Sequence, residues 1–285
     1  MRIWLALAAV VATLHAPLAC ADRDTLSGAP LPPQPPQKTS PIHDRFYVLA
    51  AFYSPTIQTN LRIDPTTNAP PGTTGTPVNA ERDLGLAPRM HQGRVEFMFR
   101  MRERSKLRVE YYEADRTGSQ VLANSIVFGN QNFGAGQLVQ SEIDWRSFGL
   151  TYTYSLIHND SLEIGTGLGV FALQTYALGS IPATGQSQSE SAAEPLPTVP
   201  LDFTWAISRR FALTGRANYL KATVSGVNGS FLDAHGDLQY RWKSSFAIGV
   251  GYTSMRISLT DRTGNPPGMV SLHFDGPEAF LRFSF

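Results

Sequence analysis

The fold of this chain is indicated most clearly by the stretch LDAHGDLQYRW, residues Leu232 to Trp242, in which apolar and polar side chains alternate. Successive side chains of a β-strand point to opposite faces, so a period of two predicts a strand with one apolar and one polar face. The apolar face ends in the aromatic residues Tyr240 and Trp242, and the polar face carries charge. An apolar face towards lipid and a polar face towards a lumen are typical of transmembrane β-barrel strands.

The end of the chain, AFLRFSF from Ala279 to Phe285, repeats this alternation, although Phe280 breaks the pattern. A chain that stops on an aromatic residue of an amphipathic strand resembles small outer-membrane barrels of Gram-negative bacteria of the OmpW/OmpX type. The resemblance covers Arg45 to Phe285 as a pattern of strands. It implies that Phe283 and Phe285 belong to a C-terminal signal that the barrel-assembly machinery reads during insertion.

The N-terminus has the three parts of a secretory signal peptide. Met1-Arg2 is a short positive region, Ile3 to Leu14 is apolar, and Ala19-Cys20-Ala21 is a small-residue cleavage site. The apolar run is too short to span a bilayer as a helix. We therefore expect residues 1–21 to be cleaved and the protein to be exported to the bacterial outer membrane.

Cys20 leaves a second kind of processing open. A bacterial lipoprotein is cut just before its cysteine, which is then acylated. That processing favours leucine three residues before the cysteine, where this chain has Pro17. Cleavage after Ala21 leaves a mature chain with no cysteine, which needs no disulfide in an oxidising compartment and has no thiol chemistry.

Residues 22–44 are rich in proline and poor in apolar residues. Such a composition predicts an extended periplasmic tail with polyproline character. The tail is expected to act as a solvated tether, with binding to peptidoglycan or a partner as the alternative.

Composition bounds the function classes. The chain has 285 residues, of which 42% are hydrophobic and 16% charged, and its net charge is +1. This length suits one large β domain from residue 45 to residue 285, or two ordinary domains. The absence of a basic excess argues against nucleic acid as a partner.

The connections between strands fall into two kinds, as expected for an outer-membrane barrel with short periplasmic turns and long extracellular loops. The short polar turns are Arg102–Lys106, Ile157–Ser161, Ser208–Arg210 and Lys243–Ser245. The longer loops, rich in Gly, Pro, Thr and Ser, are about Asp64–Gln92, Asp115–Gln140, Ile181–Pro197, Ser225–Ser230 and Asp261–Val270. The pattern predicts an all-β fold: a closed antiparallel up-and-down transmembrane β-barrel of about ten strands, with eight or twelve as alternatives.

The first predicted strand, Phe46 to Tyr53, is apolar on both faces, so its register stays open. The other strands place polar residues inside. The predicted polar network of the lumen consists of Asp202, Arg216, Asp233, His235, Asp237, Arg241, Glu278 and Arg282. Four of these, Asp237, Arg241, Glu278 and Arg282, are expected to form one charge network.

Register from the short turns predicts cross-strand neighbours, because antiparallel partners share a face. Asp202 is expected opposite Arg216, and Arg100 opposite Arg108. Like charges need a carboxylate nearby, for which the candidates are Glu96, Glu110 and Glu163. A ten-stranded barrel has a narrow interior that side chains can fill. Packing with salt bridges and a conducting path therefore both remain open, and inward glycines such as Gly249 suit either one.

A catalytic site has one candidate, Asp233-Ala234-His235, in which the carboxylate can orient the imidazole as a general base. This tripeptide resembles the Asp-x-His part of the omptin proteases. The chain lacks their second acidic pair on an early strand, and only Glu81 and Asp83 of the first long loop are left for that role. The histidines show no metal-ligand spacing, so we predict no catalytic, cofactor or metal residues.

Three functions follow from these patterns. The leading hypothesis is a non-enzymatic integral outer-membrane barrel with a charged lumen, acting as a narrow channel or as a structural or surface-interaction protein. The alternatives are a surface hydrolase that uses Asp233 and His235, and an adhesin or receptor that acts through its long extracellular loops, above all Asp64–Gln92. The expected partners are outer-membrane lipid, lipopolysaccharide and, during insertion, the barrel-assembly machinery.

Overall fold

The structure is a computed structural model that describes residues 40–65, 74–224, 227–261 and 267–285. The predicted signal peptide and most of the predicted tail lie outside these residues. Within them, no helix combines the length and the apolar character that a membrane span would need.

Most of the described residues, 77%, are in strands. After a 3-10 helix at Pro41–His43, the elements are β1 (Phe46–Tyr53), β2 (Thr56–Ile63), β3 (Val78–Asn79), α1 (Ala80–Asp83), β4 (Gln92–Arg102), β5 (Ser105–Val121), β6 (Ile126–Phe128), β7 (Gln131–Phe133), β8 (Leu138–His158), β9 (Leu162–Ile181), β10 (Gln186–Ala206), β11 (Phe211–Val224), β12 (Val227–Lys243), β13 (Phe246–Asp261) and β14 (Gly268–Ser284).

Ten of these strands form a closed ring. Going round it, β1 is followed by β4, β5 and then β8 to β14, each antiparallel to its neighbour, and β14 pairs with β1 to close the barrel. Closure leaves no sheet edge within the membrane, which is what a strand-built span requires. The prediction of a closed antiparallel barrel of ten strands is confirmed.

The short turns lie where the sequence placed them, and the predicted loop Asp64–Gln92 connects β2 to β4. The predicted loops Asp115–Gln140 and Ile181–Pro197 are longer than the connections that the structure has there. The segment Ile181–Pro197 was expected to be a loop, whereas β9 runs to Ile181 and β10 starts at Gln186. Pro195 and Pro197 lie within β10, which pairs there with β9 alone and meets β11 only from Val199 onward. Proline is tolerated on a strand whose other edge is unpaired, so these prolines do not end the strand.

The first strand of the barrel is broken once. β1 pairs with the last residues of β14, and after Ser54-Pro55 the chain continues as β2, which pairs with the earlier half of β14. Tyr47 and Tyr53 are buried in the lumen. The register that the sequence left open is thus fixed by pairing on both sides of β1.

The outer face of the barrel is apolar and aromatic. Side chains that point away from the lumen and are well exposed include Phe52, Phe97, Phe99, Tyr111, Phe148, Tyr154, Leu168, Trp205, Tyr219, Trp242, Val250 and Phe283. Burial alternates with a period of two along β4, β8 and β14. An exposed apolar belt with aromatic residues is the surface of a barrel immersed in lipid. The protein is therefore a transmembrane β-barrel.

The lumen is filled by two layers of side chains. The charged layer, nearer the short turns, contains Asp44, Arg94, Glu96, Arg100, Lys106, Arg108, Glu110, Glu163, Asp202, Arg216, Asp233, His235, Arg241, Glu278 and Arg282. The apolar layer, on the long-loop side of it, contains Ile57, Tyr112, Ala114, Trp145, Phe171, Leu173, Leu196, Phe231, Met255, Ile257, Leu272 and Phe274. The lumen is thus charged over only part of its length.

A third cluster, the apolar crown, closes the long-loop end. It consists of Leu61, Val78, Ala80, Leu86, Leu122, Ile126, Phe128, Phe133, Val139, Ile143 and Ile181. The segment that carries β3 and α1 is held against the barrel by Arg116, which donates to Glu81 Oε1 at 2.7 Å and to Thr59. Gly118 and Gly85 come so close that a Cβ on Gly118 would lie 2.7 Å from the Gly85 backbone.

Phe280, the residue that broke the alternation of the last strand, points into the lumen and is 4% exposed. A Cβ on the facing Gly249 would lie 2.2 Å from the Phe280 ring, so the glycine makes the space that the ring fills. A Cβ on Gly251 would likewise lie 2.8 Å from the Cβ of Asp237. These two inward glycines therefore make room for the side chains of Phe280 and Asp237.

Candidate functional site

The charged layer is assembled because every second residue of each strand points inward, so that charges from many strands meet in one plane. At the short-turn end, Arg100 donates to both carboxylate oxygens of Glu163, at 2.8 and 3.0 Å. Lys106 Nζ lies 3.3 Å from Glu163 and 3.3 Å from Asp202. These pairs link β4, β5, β9 and β10.

The centre of the charged layer is Glu96, whose side chain is fully buried. Its carboxylate accepts hydrogen bonds from the Tyr47 hydroxyl at 2.5 Å and from Arg216, and Arg108 Nε lies 3.1 Å away. Arg108 also donates to both oxygens of Asp202, at 3.0 and 3.1 Å. Two guanidinium groups and two carboxylates thus neutralise each other inside the barrel, as buried charges require.

The structure tests two predicted pairs of cross-strand neighbours. Asp202 is opposite Arg216 in register, as expected, yet its side chain binds Arg108 instead. The prediction that Arg100 faces Arg108 is wrong, because Arg100 pairs with Lys106 and Met98 with Arg108. The turn is tighter than the predicted five residues, and an irregularity between Arg100 and Arg102 shifts the register.

Asp44, which precedes the first strand, completes the charged layer at the short-turn end. Asp44 Oδ2 accepts from Arg241 at 2.6 Å, from Arg282 at 2.7 Å and from Ser284 at 2.7 Å. Burial acts to raise the pKa of the Asp44 carboxyl, but the Arg282 charge and the hydrogen bond from Arg241 outweigh it, and that pKa lies below its ordinary value. Residues 40–44, which the sequence assigned to the tail, thus pack against the short-turn end of the barrel.

The expected network of Asp237, Arg241, Glu278 and Arg282 is divided between two places. Arg241 and Arg282 bind Asp44, whereas Glu278 Oε2 accepts from Arg94 Nη2 at 2.8 Å. Asp237 is only partly buried and lines a cavity of about 40 Å³ beside Gln239 and Arg282. A volume of that size holds a few water molecules and no larger solute.

Asp233 and His235 are neighbours, as the Asp-x-His spacing predicts, with His235 Nε2 2.9 Å from Asp233 Oδ1. Their side chains are 4% and 3% exposed and lie at the boundary between the charged and apolar layers. Arg94 Nη1 is 2.8 and 3.1 Å from the two ring nitrogens of His235. A surface hydrolase needs its base within reach of a substrate, and this pair is sealed inside the barrel.

The structure adds Glu110 to this pair. Ligand atoms of Glu110, Asp233 and His235 lie within 4.8 Å of one another. Sequence spacing gave no sign of this grouping, because Glu110 comes from β5 and the other two from β12. These strands lie opposite each other across the ring of ten.

Sequence reasoning also missed Arg94, Lys106 and Asp44. Arg94 and Lys106 are at inward positions of strands that alternate with a period of two. This alternation could have identified both residues from the sequence. Asp44 precedes the first strand, where no periodicity applies. Phe283 and Phe285, the predicted assembly signal, face outward at the short-turn end, with Phe285 75% exposed.

No protein-family model matches the chain, and no curated protein matches it. Among solved structures, Ail, the attachment invasion locus protein of Yersinia pestis, is 10% identical with a TM-score of 0.35, over 83% of this chain and 99% of that one. The outer membrane protein OprG from Pseudomonas aeruginosa is 10% identical with a TM-score of 0.34, over 85% of this chain and 96% of that one. The transport unit of the autotransporter AIDA-I from Escherichia coli is 9% identical with a TM-score of 0.41, over 85% and 91%. The chain is similar to small outer-membrane β-barrels, as its strand pattern indicated.

Proposed function

We propose that this protein is a non-conducting outer-membrane barrel that acts at the cell surface as a structural or surface-interaction protein. The proposal rests on the observation that two layers of side chains, one charged and one apolar, fill the lumen. An ion that crosses the barrel must pass a layer of paired charges and then a layer of aromatic and aliphatic side chains that includes Phe171, Phe231 and Phe274. Each of these three rings is at most 1% exposed.

The second support comes from the length of the strands. β8, β9 and β10 contain 21, 20 and 21 residues, whereas about 9 to 11 residues cross a bilayer as a tilted strand. On β5 and β8 the outward face changes from Tyr111 and Phe148 to Glu113 and Arg146, which marks the edge of the apolar belt. The remaining length forms a polar extracellular platform, with the belt in contact with lipid and the polar face in contact with lipopolysaccharide.

Single-channel recording tests the closed lumen. The refolded mature protein in a planar bilayer is expected to give no discrete conductance steps, with heat-modifiable migration on gels as the check that it is folded. A hollow variant removes two cations, two anions and two rings together, so that the net charge of the layer is unchanged: Glu96→Ala, Arg108→Ala, Asp202→Ala, Arg216→Ala, Phe171→Ala and Phe231→Ala. This variant is expected to conduct. Conductance steps from the folded wild-type protein would contradict the proposal and support the alternative hypothesis of a narrow channel.

The orientation of the platform has its own test. An epitope inserted between Thr184 and Gly185, in the connection between β9 and β10, is expected to be detected by antibody on intact cells. The same epitope in the turn Ser208–Arg210 is expected to be detected only after the outer membrane is permeabilised. Both sites are solvent-exposed turns, so they form a matched pair. The reverse result would place the long loops inside the cell envelope and would contradict surface interaction.

A further inference from the structure

We propose that a basic surface on the outer wall, at the upper edge of the apolar belt, binds the phosphate groups of lipid A, the membrane anchor of lipopolysaccharide. This basic face consists of Lys221 on β11, Arg256 on β13, His273 on β14 and Arg89 beside β2. It gives the polar platform a partner of defined chemistry, and it rests on the proposed placement of the long loops outside the cell.

The basic face begins where the apolar belt ends. On β11 the outward Tyr219, which is 50% exposed, is followed two residues later by Lys221. On β13 the outward Tyr252, which is 55% exposed, is followed four residues later by Arg256. Outward aromatic residues mark the level of the lipid headgroups on a barrel. Lys221 and Arg256 therefore lie at the headgroups of the outer leaflet, where lipid A carries its phosphates.

Strand register brings these cations together on one face. Lys221 is opposite Ser230, and Ser230 is opposite Ser258. Ser258 follows Arg256 by two residues on β13. Two strand spacings of about 4.8 Å and an offset of two residues place the Cα atoms of Lys221 and Arg256 roughly 12 Å apart. Arg256 is directly opposite His273 on β14, so the long side chains of this face can reach one headgroup together.

The cations of the basic face have no counter-charge bound to them. Lys221, Arg256 and Arg89 are exposed, and no ion pair or side-chain hydrogen bond joins them to another described residue. The nearest outward carboxylate by register in the described chain is Asp275, two residues from His273 on β14. Three cations and this one carboxylate leave a net charge of +2, with His273 counted as neutral. Arginine suits a phosphate partner because its planar guanidinium donates paired N–H···O bonds.

The opposite wall carries the reverse charge above the belt. On β5 and β8, which lie five places from β12 and β13 in the ring of ten, the outward residues of this acidic face are Glu113, Asp115, Glu142, Asp144 and Arg146. Asp115 is directly opposite Asp144. Phosphates are repelled by such a face unless a divalent cation bridges the two negative charges. Binding in the presence of EDTA therefore distinguishes the basic face from the acidic face.

Lipid binding in detergent tests the basic face directly. The refolded mature protein is mixed in EDTA with bisphosphorylated lipid A, or with the same lipid after its phosphates are removed, and bound lipid is counted by native mass spectrometry. We expect one bisphosphorylated lipid A per folded chain, and binding of the dephosphorylated lipid that is at least about 10-fold weaker. Equal binding of both lipids by folded wild-type protein would overturn the proposal, and so would binding that requires Mg²⁺.

Binding in detergent depends on neither a closed lumen nor the orientation of the barrel in the cell. Conductance steps from the wild-type protein would contradict the non-conducting barrel and leave the lipid A site in place. Equal binding of both lipids by a silent barrel would remove the lipid A site alone. The two proposals therefore fail separately.

Two variants of matched charge locate the site. Lys221→Gln with Arg256→Gln removes two exposed cations of the basic face, whereas Arg146→Gln with Arg209→Gln removes one exposed cation from the acidic face and one from a short turn. Both variants lose two positive charges, so a general attraction to anionic lipid is weakened equally. We expect the first variant to bind bisphosphorylated lipid A roughly 30-fold more weakly and the second to bind it as the wild type does. Equal binding by the two variants, both heat-modifiable and therefore folded, would contradict a site on the basic face.

Discussion

Replacing Glu96 with alanine is expected to lower the free energy of unfolding by about 3 to 5 kcal/mol, because it leaves buried cations without their counter-charge. Glu96 is completely buried and binds Arg216, Arg108 and Tyr47. A water molecule in place of the carboxylate would not accept all of the hydrogen bonds that the carboxylate accepts in this packed layer. Reversible unfolding in urea from lipid vesicles measures the change.

Two further variants make this result specific. Glu96→Gln keeps the shape and one acceptor oxygen, so it should lose less than Glu96→Ala. Glu113→Ala removes a half-exposed carboxylate 3.9 Å from Arg146 and is expected to change stability by less than about 1 kcal/mol. Equal losses for Glu96→Ala and Glu113→Ala would mean that the charged layer is hydrated and does not seal the barrel.

The sequence predicted the barrel because the outer face of each strand obeys one rule. Within the membrane, lipid selects apolar side chains at the outward positions, and burial alternates along β4, β8 and β14. The loops are harder to predict, since strand pairing continues beyond the membrane, where both faces are wet. The segment from Gln186 to Pro197 has the composition of a loop and is a strand because β9 lies beside it.

The lumen was predicted less well, because the inward face obeys no single rule. Polar inward residues were assumed throughout, yet Trp145 and Phe274 face inward and are buried in the apolar layer. Register identified neighbours in the sheet, but long side chains reach past them. Arg108 on β5 binds Asp202 on β10, three strands away around the ring, and no local pattern encodes that contact. The same limit hid the approach of Glu110 to His235.

Replacing Phe171 with alanine is expected to lower the free energy of unfolding by about 3 to 5 kcal/mol, the usual loss for a buried phenylalanine. The ring is completely buried in the apolar layer, and its centroid lies 4.9 Å from that of Phe231. The loss combines the transfer of the removed atoms with the cavity that remains between strands that cannot collapse.

Leu168→Ala on the same strand separates these two contributions. Leu168 points outward and is 73% exposed to the lipid side. Its truncation costs the transfer term of about 0.8 kcal/mol for each methylene-sized group, but acyl chains fill the space and no cavity remains. A loss from Phe171→Ala no larger than that from Leu168→Ala would show that the apolar layer is not tightly packed.

The same variant tests whether the two layers are independent barriers. Phe171→Ala thins the apolar layer and leaves the paired charges of Glu96, Arg108 and Asp202 in place. An ion that entered the cavity would still meet a plane of neutralised, hydrogen-bonded groups with space for only a few waters. We therefore expect this variant to be less stable and yet silent in a planar bilayer. Conductance steps from Phe171→Ala alone would mean that the apolar layer is the sole barrier, and that the charged layer conducts.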